Sequence, residues 1–225
     1  MREQQCKRTS QLVLWYREYL DDGKSAAFVS RVATRYTLGT LSRMSDGHEA
    51  ELRRASVLAL GMLGGGDCLS AIAKRLRDDD RCVRLVAEIA FCDLSRRQVG
   101  MTAAMELDSI RRHVDGHRYR KSLTLLKSMT KRYPQFAEAW YLLGIVEFCL
   151  GRYQRAIEAS TQAIDLNRDH FLAYSTIGRS WLELEDSLRA LRAFEKSFAI
   201  NRSQVGVKGY IDVLLRQTRR MKDKS

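Results

Sequence analysis

The feature that most constrains this chain is a gapless internal repeat. Residues 137–170 lie over residues 171–204 at a period of 34, with Trp140 over Tyr174, Leu143 over Ile177, Gly144 over Gly178, Ala156 over Ala190 and Asn167 over Asn201. A period of that length marks a supersecondary unit that buries its apolar face only by stacking on a neighbour. In each unit a large aromatic, an aliphatic three residues on and a glycine directly after it place a bulky anchor beside a gap on one helix face. The gap lets a second helix approach closely, and Ala156 and Ala190 are small for the same reason. Gly151, between Leu150 and Arg152, reads as a helix C-terminal stop, so each unit is a helical hairpin.

The same register extends in both directions. Residues 103–136 form a degenerate copy: Tyr119 falls under Tyr153, Ser122 under Ala156, and Pro134 at the helix-ending position, but Ile110 stands where Gly144 does. Residues 205–218 read as a capping helix covering the last apolar face, followed by a basic tail at 219–225. The fold class expected is all-α.

The W-x-x-L-G run, the alanine of the second helix and the period of 34 resemble the tetratricopeptide repeat (TPR) family. Arg168 and Arg202 stand where that family often has proline, which implies slightly longer second helices, and Ser160 replaces a usual aromatic. The resemblance implies a right-handed α-α superhelix of hairpins whose job is to bind another protein.

Upstream the period changes to 31: Leu52-Arg53 recurs as Val83-Arg84, Ala59 as Ala90 and Leu60 as Phe91. Between the two copies run a helix, a glycine turn at 64–66, a second helix and an acidic turn at 78–80. This stretch resembles short HEAT repeats of the phycobilisome lyase type, and Leu41–Glu51 looks like the end of an eroded earlier copy. In that family an arginine meets the acidic turn of a neighbouring unit, which implies Arg53 or Arg84 against residues 78–80. The expected organisation is a helical N-terminal extension over 1–37, HEAT-like repeats over 38–100 and TPRs over 101–204, with capping helix and tail beyond. HEAT-like units running into TPRs resemble bacterial scaffold proteins.

Composition narrows the function classes. The chain of 225 residues carries 39 Lys+Arg against 27 Asp+Glu, a formal charge of +12, of which +4 falls in residues 1–100 and +8 in residues 101–225. Such an excess attracts nucleic acid, acidic peptides or anionic lipid without choosing among them. The five cysteines are odd in number, show no CxxC spacing and mostly stand among apolar helical positions, which fits a reduced, cytoplasmic protein. No signal peptide and no membrane span is read from the apolar runs.

Nothing in the chain asks to be catalytic, and no motif calls for a cofactor. His113 and His117 are four apart, as on a metal-binding helix face, but Gly116 places them at a hairpin turn and no third ligand stands nearby. Gly64–Gly66 lacks the strand and the Gly-Lys-Ser/Thr of a phosphate loop, and Asp78–Asp80 reads as a helix cap rather than a cation cluster.

The TPR resemblance places the first helix of each hairpin along a concave groove. Its outward positions are Tyr141, Leu142, Ile145, Phe148 and Cys149 in one unit, and Ser175, Thr176, Arg179, Leu182 and Glu183 in the next. Asp108 and Arg111 take the places of Leu142 and Ile145 in the degenerate unit. An apolar centre with Arg111 and Arg179 at its edges suits an acidic-hydrophobic peptide. The alternative for Leu142, Ile145 and Phe148 is packing between adjacent hairpins, with the arginines solvated. The Asn and Lys of the family's carboxylate-clamp form are absent, so a Glu-Glu-Val-Asp tail is not the expected ligand. A second reading is nucleic-acid binding on the basic surface, against which stands the interleaving of acids with bases. A third, a bilin-lyase-like enzyme, rests on the HEAT-like resemblance alone.

Overall fold

The computed structural model describes residues 9–222 in backbone, with side chains to Thr218; Cys6 and the end of the basic tail, 223–225, lie outside the described residues. Among the described residues there are thirteen α-helices, one 3-10 turn and no strand, so the chain is all-α. It divides into two compact units, one through Leu94 and one from Ser95 onward.

The first unit opens with α1 (Gln11–Asp22) and α2 (Ser25–Arg35), joined at Gly23 in the left-handed region (φ 68°). Both pack on α4 (Ala50–Leu63), which also pairs closely with α3 (Leu38–Ser45). The glycine turn leads into α5 (Leu69–Arg75), and the acidic turn into α6 (Arg81–Arg97), which carries the chain across the unit boundary. Gly61 of α4 lies so near α6 that a Cβ there would stand 2.7 Å from the Ala90 Cβ. Gly64 is equally confined, with Leu60 O and Cys68 Sγ within 2.7 Å of any added Cβ. The glycines therefore shape a tight turn.

Both arginines singled out by the 31-residue period engage the acidic turn. Arg53 grips Asp78 with two parallel bonds, Nε to Oδ2 and Nη2 to Oδ1, each 2.8 Å, and its Nη1 donates to Gly47 O and His48 O at 3.0 and 2.8 Å. Arg84 repeats the second motif 31 residues later, its Nη1 donating to Asp78 O and Asp79 O at 2.7 and 2.9 Å. Asp80 caps α6 by accepting from Val83 N at 2.8 Å. Burial pushes the Asp78 carboxyl up, but the Arg53 bonds, the Asp80 N–H and the charges of Arg53 and Arg75 outweigh it and leave it below the usual carboxylate range.

The second unit is a lattice of hairpins: α7 (Met101–Asp115) with α8 (Tyr119–Arg132), α9 (Ala137–Cys149) with α10 (Tyr153–Leu166), α11 (Phe171–Glu183) with α12 (Ser187–Ile200), then α13 (Val205–Lys222). Second helices begin at 119, 153 and 187 and end at 132, 166 and 200, so the period of 34 governs the boundaries as well as the residues. The turns keep it too. His117, Gly151 and Glu185 all have positive φ (55°, 71° and 59°), and the next N–H of each turn reaches back five residues: Arg118 to His113 O, Arg152 to Glu147 O and Asp186 to Trp181 O. Residues 103–136 are thus a full hairpin in register. Their two helices pack less intimately than the later pairs because Ile110, buried, fills the place where the others have glycine.

Close approach at those glycines is direct. A Cβ on Gly144 would stand 2.3 Å from Ser160 Oγ, and one on Gly178 would stand 2.7 Å from the Phe194 ring. Two expectations are corrected. The second helices are not lengthened by Arg168 and Arg202: α10 and α12 stop before Asn167 and Asn201, whose side chains accept from Asp169 N and Ser203 N at 3.2 and 2.9 Å. An asparagine turn ends the helix where proline otherwise would. The last helix runs to Lys222, so the start of the basic tail is helical rather than a separate segment. Of the four described cysteines, Cys68 is buried and Cys92 half-buried, but Cys82 and Cys149 are exposed, and none forms a disulfide.

Candidate protein-interaction site

The expected groove residues fall on the first helices of the three hairpins, and α9 contacts both α7 and α11. They are not equally accessible. Tyr141 is 8 % exposed and Thr176 has no exposed surface, whereas Asp108, Arg111, Ile145, Phe148 and Arg179 are half-buried. Thr176 spends its hydroxyl on Leu172 O at 3.1 Å and lies 3.4 Å from Arg179 Nη2. Neither Thr176 nor most of Tyr141 presents surface to a ligand.

Tyr141 instead packs on His170, with ring centroids 4.7 Å apart. His170 caps α11: its Nδ1 accepts from Ala173 N at 3.3 Å, so Nε2 carries the proton and faces Glu138 Oε1 at 3.2 Å. Glu138, only 4 % exposed, is also met by Arg111 Nη2 at 3.7 Å. Arg111 is therefore one side of a three-member cluster that neutralises a buried carboxylate. This internal partner is absent from both sequence readings of Arg111, a groove edge or a solvated side chain. The signal was present in the sequence as a glutamate one residue into the apolar stretch 137–149, whose charge must be matched once the helix is buried.

Arg179, at the equivalent repeat position, has no such partner. Its guanidinium lies over the Phe148 ring, 5.2 Å from the centroid, and no carboxylate of a described residue stands within ion-pair distance of it. Phe148 also packs against Tyr153, with centroids 5.5 Å apart. Tyr153 in turn engages Glu183, whose carboxylate holds the phenolic proton and raises the hydroxyl's pKa. One hairpin earlier, burial and then the Cys149 thiol raise that of Tyr119. These ties, Tyr119–Cys149 and Tyr153–Glu183, again stand 34 apart and join each second helix to the first helix of the next hairpin.

The other residues weighed for chemistry sit apart. His113 lies in the last turn of α7, where burial and then Lys121, Arg118 and Arg112 lower its pKa, and His117 Nδ1 pairs with the Tyr119 hydroxyl at 2.7 Å. Among the described residues no group of three or more His, Cys, Asp or Glu is placed to hold a metal ion. No described helix is long and apolar enough to cross a membrane.

No curated protein sequence matches the chain significantly. Among solved structures, the first TPR of Spaghetti (RPAP3) bound to the HSP90 peptide SRMEEVD aligns at 14% identity over 51% of this chain and 91% of that one, with a TM-score of 0.49. A MamA protein from Desulfovibrio magneticus RS-1 aligns at 20% identity over 87% of this chain and 98% of that one, with a TM-score of 0.42. The tetratricopeptide repeat family model matches residues 107–170, which takes in both the degenerate hairpin and the one after it. Over this segment the chain is similar to the tetratricopeptide repeat family.

Proposed function

We propose that this protein is a non-catalytic interaction adaptor that binds a peptide or protein segment along the first-helix face of its TPR hairpins. The observation that carries this reading is the Arg179 guanidinium, without an ion-pair partner among the described residues, over the half-buried Phe148 ring. A cation with no internal carboxylate, set on an apolar step, suits a segment that offers an acidic group next to an apolar side chain. Asp108 and Arg111 border the same face, but Arg111 serves chiefly to neutralise Glu138. We read the first unit as HEAT-like support, on the strength of the Arg53 and Arg84 contacts to the acidic turn.

The test is fluorescence anisotropy with a labelled acidic-hydrophobic peptide against the wild type and Arg179→Glu. Reversing this charge is expected to weaken binding roughly tenfold or more. Unchanged affinity would remove the first-helix face as the binding surface. Arg111→Glu is unsuited to the same test, because it sets a second carboxylate against Glu138.

A further inference from the structure

Two clefts on the second unit are the same cleft in successive repeats. The first, about 470 Å³, lies among α8, α9 and α10, and the second, about 340 Å³, among α10, α11 and α12. Their floors correspond, Trp140 and Leu143 in one standing where Tyr174 and Ile177 stand in the other. Their rims do not. Glu147, Glu158 and Gln162 of the first are replaced by Trp181, Arg192 and Lys196 in the second.

The charge consequence is large. In the first cleft Lys127 and Arg155 are balanced by Glu147 and Glu158, whereas the second is lined by Arg189, Arg192 and Lys196 with no carboxylate. The hairpin lattice is the same in both, so packing does not demand this excess. Arg189 is partly spent, with Asp186 Oδ2 3.2 Å from its Nε and its guanidinium 4.5 Å from the Trp181 centroid. Arg192 and Lys196, both exposed, have no ion-pair partner among the described residues, and Lys196 Nζ stands 5.8 Å over the Tyr174 ring. Asp165 and Asp169 act on the Tyr174 hydroxyl from outside the lining.

We infer that this second cleft binds a short acidic segment of a partner protein, with one apolar side chain seated on Ile177 and Tyr174 and flanking carboxylates on Arg192 and Lys196. A volume near the lower end of the range for ligand pockets, about 300 Å³ upward, fits a side chain rather than a folded element. The cationic rim supplies charge complementarity, and the apolar floor separates this site from simple charge attraction. Nucleobases are less well served, because a guanidinium already lies over the Trp181 ring and an ammonium over Tyr174, where bases would stack. The cleft is independent of the first-helix face: Tyr174, Ile177 and Trp181 lie on the side of α11 opposite Arg179.

The experiment titrates the full chain with a short peptide of Asp and Glu around one central Leu. Binding is followed by anisotropy and by the three Trp indole N–H resonances, with Trp181 assigned through Trp181→Phe. The expected result is a shift of Trp181 with Trp15 unmoved, and roughly tenfold or greater weakening in Arg192→Glu/Lys196→Glu, whose exposed positions leave the helical circular dichroism unchanged. Arg179→Glu should leave this shift intact, so failure here and failure of the first-helix face are read separately. An unmoved Trp181 resonance overturns the proposal. So does equal binding of the peptide with Leu replaced by Ser, or a single-stranded RNA that shifts Trp181 at lower concentration than the peptide.

Discussion

Gly144→Ala tests whether the hairpin lattice is held by the close approach of its helices. The added Cβ would lie 2.3 Å from Ser160 Oγ, 3.2 Å from Ala156 O and 3.3 Å from Ser160 N. At the first distance the Ser160 Oγ must move; the other two, to backbone, need a few tenths of an ångström. Overpacking of this kind costs about 1–3 kcal/mol. About 2 kcal/mol corresponds to a drop in Tm of roughly 4–8 °C for a chain of this length. The structure also says where the cost resides. Ser160 Oγ is buried and makes no hydrogen bond in the structure, so Ser160→Ala removes an unsatisfied hydroxyl and is neutral or stabilising by up to about 1 kcal/mol. The double variant Gly144→Ala/Ser160→Ala should recover more than half of the loss, because the removed oxygen was the main obstacle. Urea unfolding followed by circular dichroism gives all three values. Additive effects in the double variant, or an unperturbed Gly144→Ala, would refute the reasoning.

Asp78→Ala should destabilise the first unit by about 3 kcal/mol, since it strands the Arg53 guanidinium, whose side chain is 14% exposed, beside Gly47 O and His48 O only. Because the folded-state pKa of Asp78 lies below the unfolded value of 3.8, its contribution is present above about pH 4 and is lost as pH falls further. Acid unfolding of Asp78→Asn, which lacks that titration, should show a shallower dependence there; identical slopes would argue against it. Glu185→Gly should stabilise by about 0.5–1 kcal/mol by relieving a left-handed residue, and Gly151→Ala should cost a similar amount at the equivalent turn. Thermal melts showing the opposite signs would contradict the shared turn geometry.

Much of the lattice was legible because the period is carried by residues whose size matters. Gly144 and Gly178 announce close helix approach, and Arg53 and Arg84 announce the acidic-turn contacts. What stayed hidden depends on alternatives of equal physical effect. His117 and Glu185 occupy the left-handed turn position that Gly151 marks openly, since the backbone capping bonds outweigh the cost of a side chain there. Asn167 and Asn201 end helices by side-chain turns, which hid the equivalence to proline at 134. Thr176 and Tyr141 point outward only in a single-helix projection; in the lattice α9 and α11 bury them. The second cleft was missed because its cations stand on α12 while its apolar floor comes from α10 and α11, so no one segment shows the two together.

A repeat protein supplies its own internal control, because equivalent positions share one backbone environment. Residues 111, 145 and 179 are Arg, Ile and Arg in that environment, so the lattice tolerates either chemistry and the choice reflects something else. At Arg111 the something else is visible: Glu138 is buried and needs a cation. Glu147 makes the same demand of Lys127 and Arg152, at 3.9 and 3.4 Å. Once these internal debts are assigned, the basic excess of the second unit is no longer diffuse. Arg179, Arg192 and Lys196 stand at lattice positions with no carboxylate of a described residue to neutralise them. An unpaired cation costs folding nothing at a half-exposed site, yet offers a partner's carboxylate a bond strengthened by the apolar surface beside it. If both proposed surfaces bind, their placement on opposite sides of α11 would let a single hairpin hold two acidic segments at once, which is the property the proposed adaptor role requires.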